Sequence, residues 1–290
     1  MNTTSKSEST FTQNVINAIG PRATPRIRQV MSSLIRHLHD FTRENEITSD
    51  EWIKAMDFIN WAGKLSDENK NETLELTYVF GLESLLEDIA LSKENQMNSG
   101  ATASAILGPF YRHDAPVREN ESFIFQNADE KEIIYVHGIV SDKNTKKPLA
   151  GAWIDVWQAN SQGLYDHQVN NQDENNLRGK FKTDINGHYG FYSVQPGAYP
   201  LPCEGPTEDL LKLLDRPNYR PGHIHIIARH EGYKSLTTQI YNGKDQYIDK
   251  DVVCAVKDSL IVDFKPIEGN PIAKIEVEFP IILAPFKSTK

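Results

Sequence analysis

The chain has 290 residues, 39% of them hydrophobic and 24% charged, enough for one large domain or two modest ones with a buried core. Its net charge of -9 and pI near 5.5 argue against a general nucleic-acid binder or a membrane-surface protein, both of which need a basic patch, and leave a small molecule as the expected partner. Cys203 and Cys254 are the only cysteines, too few for a disulfide framework or a paired-cysteine zinc motif; the start MNTTSKSEST is polar and no apolar run approaches the ~18 residues of a membrane span, so cytoplasmic residence is expected.

In chain order, Ile27, Val30, Met31, Leu34, Leu38 and Phe41 follow three- and four-residue steps after Pro25, which predicts an amphipathic helix. Thr48 and Glu51 form a capping-box pattern ahead of Trp52, Ile53, Met56 and Ile59. A third helix is predicted from about Lys70 to Leu91, with Leu74, Tyr78, Leu82, Leu85, Leu86 and Ile89 along one side. The polar stretch SKENQMNSGATAS then closes a helical region expected to occupy residues 1–100. Beyond residue 131, short apolar runs such as IIYVHGIV, AWIDVWQA and HYGFYSV alternate with turns such as DKNTKKPLAG and DING; helical period returns only at EDLLKLL. That spacing predicts an antiparallel β-sandwich over residues 101–290. The expected fold is therefore mostly β, with a helical N-terminal region. Neither a Gly-rich phosphate loop nor a Gly-x-Ser-x-Gly elbow occurs.

The stretch NYRPGHIHII, residues 218–227, starts a strand behind the Pro221–Gly222 turn. Alternation along a strand puts His223 and His225 on one face, roughly 7 Å apart, and Ile224 and Ile226 on the other. Two imidazoles so placed can share a metal ion. An isolated His-x-His is more often a hydrogen-bonded core pair or a solvent-facing one, so further ligands are needed. Tyr165 in NSQGLYDHQ and Tyr199 in QPGAYPLP each read, alone, as a half-buried tyrosine beside a turn. Arg220 alone reads as a surface cation.

Taken in order, ILGPFYRHDAP, PLAGAWIDVWQANSQGLYDHQ, LRGKFKTDINGHYGF, AYPLPCEGPTEDLL, RPGHIH and LTTQIY make nearly the whole chain resemble the intradiol ring-cleavage dioxygenases. The resemblance implies that Tyr165, Tyr199, His223 and His225 hold one non-heme Fe(III). It also implies that Tyr199 is the axial ligand, leaving the metal and taking a proton when substrate arrives, while Tyr165 stays bound. Arg220 is implied to stabilise the anion developing on the ring, and Gln239 to hydrogen-bond substrate or an intermediate. Two neutral imidazoles and two phenolates are hard donors that favour the ferric state. Ferric iron binds O2 poorly, so the organic substrate is the species to be activated.

The segments VWQANSQGLYDHQ, AYPLP and CAVKDSL are similar to the fungal catechol and hydroxyquinol 1,2-dioxygenase branch. That implies an ortho-diphenol and O2 as substrates: catechol giving cis,cis-muconate, or alternatively hydroxyquinol giving maleylacetate through 3-hydroxy-cis,cis-muconate. Tyr78, Leu107, Gly108, Pro109, Leu201, Pro202 and Val253 fall at positions implied to line the substrate pocket, though each also reads as plain packing. Tyr78 stands where several hydroxyquinol enzymes carry an aspartate, which tilts the expectation towards catechol. The protocatechuate enzymes lack the long helical region and fit worse. The resemblance further implies a homodimer formed through the N-terminal helices around an apolar tunnel able to hold a phospholipid. GIVSDKNTKKPLAGAWIDV by itself suits a non-catalytic sandwich module, which has no need of four ligands. A zinc hydrolase would prefer histidine or carboxylate to two tyrosines.

Overall fold

Three helices open the chain in the computed structural model, which describes residues 4–67, 71–98, 100–126, 133–169, 174–201 and 205–286. They are α1 (Thr4–Asn17), α2 (Pro25–Glu44) and α3 (Ser49–Leu65). Helix α2 starts as its sequence dictates: Pro25 fits the first turn and the Ile27 N–H donates to Thr24 Oγ1 at 3.2 Å. At α3 the capping box forms, with Thr48 N–H on Glu51 Oε2 at 2.8 Å and Glu51 N–H on Thr48 Oγ1 at 3.3 Å. Thr12 of α1 is held by α2, taking a bond from Arg43 at 2.6 Å and lying 3.0 Å from His39 Nδ1. These helices make up a compact unit ending at Lys64, and Leu65–Lys290 makes up another. Helix α2 has no buried residue; its stripe of Ile27, Val30, Met31, Leu34, Leu38 and Phe41 is 40–51% exposed.

The second unit begins with a correction. The single helix expected from Lys70 to Leu91 is two, α4 (Glu72–Val79) and α5 (Leu82–Asn98). Gly81 breaks it: at φ +66° it adopts a left-handed backbone that glycine enters without strain, and its N–H closes on Tyr78 O at 2.8 Å. Helix α4 packs on α6 (Pro206–Leu213), where buried Glu72 accepts from the Thr207 N–H at 2.9 Å. The last two helices of the region expected to end at residue 100 thus fold within the same compact unit as the strands.

Thirteen strands follow among the described residues: β1 (Ser122–Phe123), β2 (Ile133–Asp142), β3 (Trp153–Gln158), β4 (Arg178–Lys182), β5 (His188–Val194), β6 (Tyr199–Pro200), β7 (Tyr219–Arg220), β8 (His223–Arg229), β9 (Leu236–Asn242), β10 (Ile261–Val262), β11 (Lys265–Pro266), β12 (Ile275–Glu278) and β13 (Ile281–Leu283). One sheet runs β1-β5-β2-β12-β11 with β13 also on β2; a second runs β10-β9-β8-β3-β4; β6 and β7 pair separately. The long pairs are antiparallel, as expected. The short strands β1, β10, β12 and β13 join in parallel instead, reached by long connections rather than hairpin turns. One core joins both sheets: Ile134, Val136 and Phe191 from the first, Ile154, Val156, Phe181, Ile224 and Ile226 from the second. Phe181 and Phe191 stack across it at 5.2 Å. The chain as a whole is a mixed fold, N-terminal helices followed by a sheet-rich region. Strand β8 lies inside its sheet, between β9 and β3. Because Ile224, Ile226 and Ala228 face the core, His223 and His225 face the other way, and they are buried too.

Candidate metal centre

Four aromatic rings converge on the outer face of β8. The Nε2 atoms of His223 and His225 are 3.0 Å apart. His223 Nδ1 lies 2.7 Å from the Pro221 carbonyl, which can only accept, so Nδ1 carries the proton and Nε2 presents a lone pair. His225 is fixed by packing: it stacks on its cross-strand neighbour Trp157, with centroids 4.5 Å apart and planes within 9°. Gly108 also lies against it, at φ +74°, where a Cβ would stand 3.2 Å from His225 Cε1; the site needs both the left-handed backbone and the missing side chain. Tyr199 comes in on β6, its ring 5.6 Å from that of His223, and Tyr165 meets Tyr199 edge-on at 5.5 Å. All four side chains the sequence singled out as ligands are brought together and buried.

Burial, helped by the Arg220 charge, drives the His223 pKa down to about 3. Burial and then the neighbouring His223 and Arg220 take His225 well below its ordinary value. Both rings are therefore neutral, the form that ligates metal. The Tyr165 phenol is pushed well above its ordinary range, first by burial and then by Tyr199. Its buried hydroxyl has no hydrogen-bond partner among the described residues, and neither has His225 Nδ1. An orphaned phenol and an orphaned ring nitrogen are costly in a protein interior. A cation gathering the donors removes that cost, and a trivalent one favours the phenolate form. Among the described residues no group of three or more His, Cys, Asp or Glu could hold a metal, so the donor set depends on its tyrosines. The residues fit non-heme Fe(III).

Arg220 is far from a surface cation. It is 3% exposed, and its guanidinium grips Asp251 through Nε to Oδ1 at 3.1 Å and Nη2 to Oδ2 at 3.2 Å. Nη1 reaches His223 Nε2 at 3.1 Å, while Nη2 also meets Gln239 Oε1 at 2.9 Å and the Tyr241 hydroxyl at 3.1 Å. Burial opposes the charge on Arg220, but Asp251, Tyr241 and Tyr199 hold its pKa well above the usual value. Burial likewise opposes ionisation of Asp251, and Arg220 outweighs it, so that carboxyl sits below the usual range. Gln239 is anchored by donating to Ile106 O at 2.6 Å. Sequence reasoning missed Tyr241, although it stands two residues from Gln239 on the same strand face, and Asp251, which carries no local signature.

A second buried pair supports Tyr165. Asp166 receives Arg178 Nε at 2.6 Å and Nη2 at 2.7 Å, and Arg178 Nη1 donates to Phe110 O at 2.7 Å. The Phe110 ring packs 4.5 Å from that of Tyr165. The pair ties the Tyr165 turn to the segment after Gly108.

A cavity of about 300 Å³ opens beside the centre. Tyr78, Gly108, Pro109, Leu201 and Val253 line it with Tyr199 and Arg220. Leu107 does not: Ile106 points into the cavity, the next side chain turns outward, and Leu107 is 41% exposed beside a different cavity. Pro202 lies outside the described residues. Ile106 and Phe110 of the ILGPFY segment line it as well, and the sequence reading did not name Glu75 or Glu83. The two glutamates bear on specificity, because the expectation against a third ring hydroxyl rested on Tyr78 lacking a carboxylate.

Known proteins resemble the chain along nearly its whole length. A catechol dioxygenase N-terminus profile matches residues 24–98, and a dioxygenase profile matches residues 106–285. The chain is 43% identical over 281 residues to a catechol 1,2-dioxygenase of Candida albicans, spanning 94% of this chain and 91% of that protein. It is 42% identical over 285 residues to the intradiol ring-cleavage dioxygenase prcA of Aspergillus niger, spanning 98% and 90%. The solved structure of a hydroxyquinol 1,2-dioxygenase from Pseudomonas putida DLL-E4 superposes with a TM-score of 0.87 at 29% identity, over 97% of this chain and 99% of that one. The chain belongs to the intradiol ring-cleavage dioxygenase family, a family of oxidoreductases whose membership implies a non-heme Fe(III) cofactor and catechol-type substrates cleaved with O2.

Proposed function

We propose that the protein is a catechol 1,2-dioxygenase, inserting both atoms of O2 into catechol between its two hydroxyl-bearing carbons to give cis,cis-muconate. The observation that carries this reading is the buried convergence of Tyr165, Tyr199, His223 and His225 beside a cavity edged by Tyr199 and Arg220. Ferric iron held by those four residues supplies Lewis acidity towards a chelated ortho-diphenol. Tyr199, the one member of the four that also lines the cavity, is placed to accept a phenolic proton at its oxygen. Tyr165 is braced through Asp166 and Arg178 and keeps its place. Arg220 offers a fixed positive charge to the anion that develops on the ring, and Asp251 and Gln239 hold it so that nothing must reorganise during the reaction. Ile106, Pro109, Leu201 and Val253 give the ring an apolar bed and exclude water.

A second reading, hydroxyquinol 1,2-dioxygenase giving 3-hydroxy-cis,cis-muconate and so maleylacetate, is favoured by Glu75 and Glu83 in the cavity. The exposed stripe of α2 supports a homodimer through the N-terminal helices, and its apolar character also suits a phospholipid chain. Among the described residues no helix is long and apolar enough to cross a membrane. The test is direct: iron-loaded protein given catechol should consume an equimolar amount of O2 and form cis,cis-muconate. Absence of O2 uptake with both catechol and hydroxyquinol would contradict the proposal.

A further inference from the structure

The break at Gly81 sets Tyr78, at the end of α4, and Glu83, in the first turn of α5, around one cavity, and Glu75 joins them from one turn earlier. The only cation lining that cavity, among the described residues, is Arg220, and its charge is already matched by the two-point pair with Asp251. Glu83 therefore gives the helix side of the cavity an acidic group. A ring that enters with its ortho-diphenol edge towards Tyr199 and Arg220 presents its other substituents to that acidic side.

We propose that Glu83 is a specificity-determining residue: its carboxylate accepts a hydrogen bond from a ring hydroxyl additional to the ortho pair, and it turns away rings that carry a carboxylate. The inference rests on the ring-cleavage reading and names the substituents that reading leaves open. A phenolic hydroxyl can give a charge-assisted bond to a half-buried carboxylate, whereas a ring carboxylate brings a like charge into the same small space. Burial and then Glu87, one turn further on, raise the Glu83 carboxyl, while Arg220 pulls it back down. Tyr78 cannot do the same work. Its phenol is raised by burial, then by Glu83 and Glu75, and so stays protonated and neutral. A site built to bond a hydroxyl discriminates more strongly than one that only limits size.

The test compares kcat/KM for catechol, hydroxyquinol and 3,4-dihydroxybenzoate on the iron-loaded parent, Glu83→Gln and Glu83→Leu. Glu83→Leu should lower the hydroxyquinol-to-catechol ratio tenfold or more, chiefly through KM, and raise the dihydroxybenzoate-to-catechol ratio. Glu83→Gln, whose amide oxygen still accepts a bond, should lower the hydroxyquinol-to-catechol ratio less than Leu does while raising the dihydroxybenzoate ratio as Leu does. The two ratios move in opposite directions, which a general loss of packing does not produce. If Glu83→Leu does not fold, the Gln variant decides the matter through the dihydroxybenzoate ratio. Ratios that stay within twofold of the parent, or that fall together, overturn the role of Glu83 alone. A parent that cleaves no ortho-diphenol overturns the ring-cleavage reading, and this inference with it.

Discussion

Helix α2 and strand β8 handle burial in opposite ways. The helix spans 20 residues and buries none, leaving six apolar side chains 40–51% exposed along one stripe. The strand buries every residue from His223 to Ala228, wholly apolar on one face and with His223, His225 and Ile227 on the other. The sheet-rich unit fills its own core, and that rigid frame lets it keep costly groups such as Arg220, Asp251, Arg178 and Asp166 away from water in fixed geometry. The unit ending at Lys64 is short and leaves the apolar stripe of α2 exposed, the feature on which the proposed pairing with a second copy rests.

The sharpest way to test the sheet side of this contrast is His225→Ala. It should abolish iron retention and cut kcat/KM for catechol by ~10³-fold or more, beyond the roughly 10–100-fold typical of residues that only support a ligand. Metal analysis and O2 uptake measure it, and helical circular dichroism should persist.

Next in size is the buried Asp166–Arg178 pair. Asp166→Asn leaves a guanidinium buried without its counter-charge, a loss of about 3–5 kcal/mol that differential scanning calorimetry should record as a fall in Tm of roughly 6–20 °C. Burial pushes the Asp166 carboxyl up, but the bonds and charge of Arg178 outweigh it and leave it below the usual range, as Arg220 does for Asp251. A lowered folded pKa means that the unfolded chain takes up protons first on acidification. This stabilisation is therefore complete above the ordinary aspartate range near ~3.9 and is lost as pH falls through the folded values. The acid limb of a Tm-against-pH curve should be shallower in Asp166→Asn than in the parent; identical limbs would refute the assignment.

On the helical side, if the proposed dimer forms, Leu34→Asp should convert it to a species near the 32.9 kDa of one chain by light scattering. A parent that is already a stable monomer at high concentration would break the comparison itself.

The smallest effect is expected at Tyr78. Since Glu83 already places a carboxylate in the cavity, Tyr78→Asp should shift the hydroxyquinol-to-catechol ratio by less than ~10-fold, the scale of one net hydrogen bond. A larger shift would return the specificity role to position 78.

How much of this was legible beforehand depended on distance along the chain. The helix start at Pro25, the capping box at Thr48 and the facing of His223 and His225 are local properties of helix starts and strands, and they hold in the structure. Tyr165 and Tyr199 lie far apart in sequence, and only the ordered resemblance joined them as ligand candidates. The break at Gly81 was hidden because apolar spacing continues through it from Tyr78 to Leu82, although YVFGLES contains the glycine that ends α4. Asp251 meets Arg220 from 31 residues away and Glu83 meets the cavity across a helix break, and neither carries a motif. Leu107 was misplaced because a run of neighbours in ILGPFY cannot all face one cavity.

The central claim is that two tyrosines and two histidines hold ferric iron, and the visible absorption spectrum of the iron-loaded protein tests it most directly. The account predicts a wine-red protein from tyrosinate-to-Fe(III) charge transfer, weakened and shifted in Tyr165→Phe. A colourless, iron-free protein that is active with zinc would contradict it.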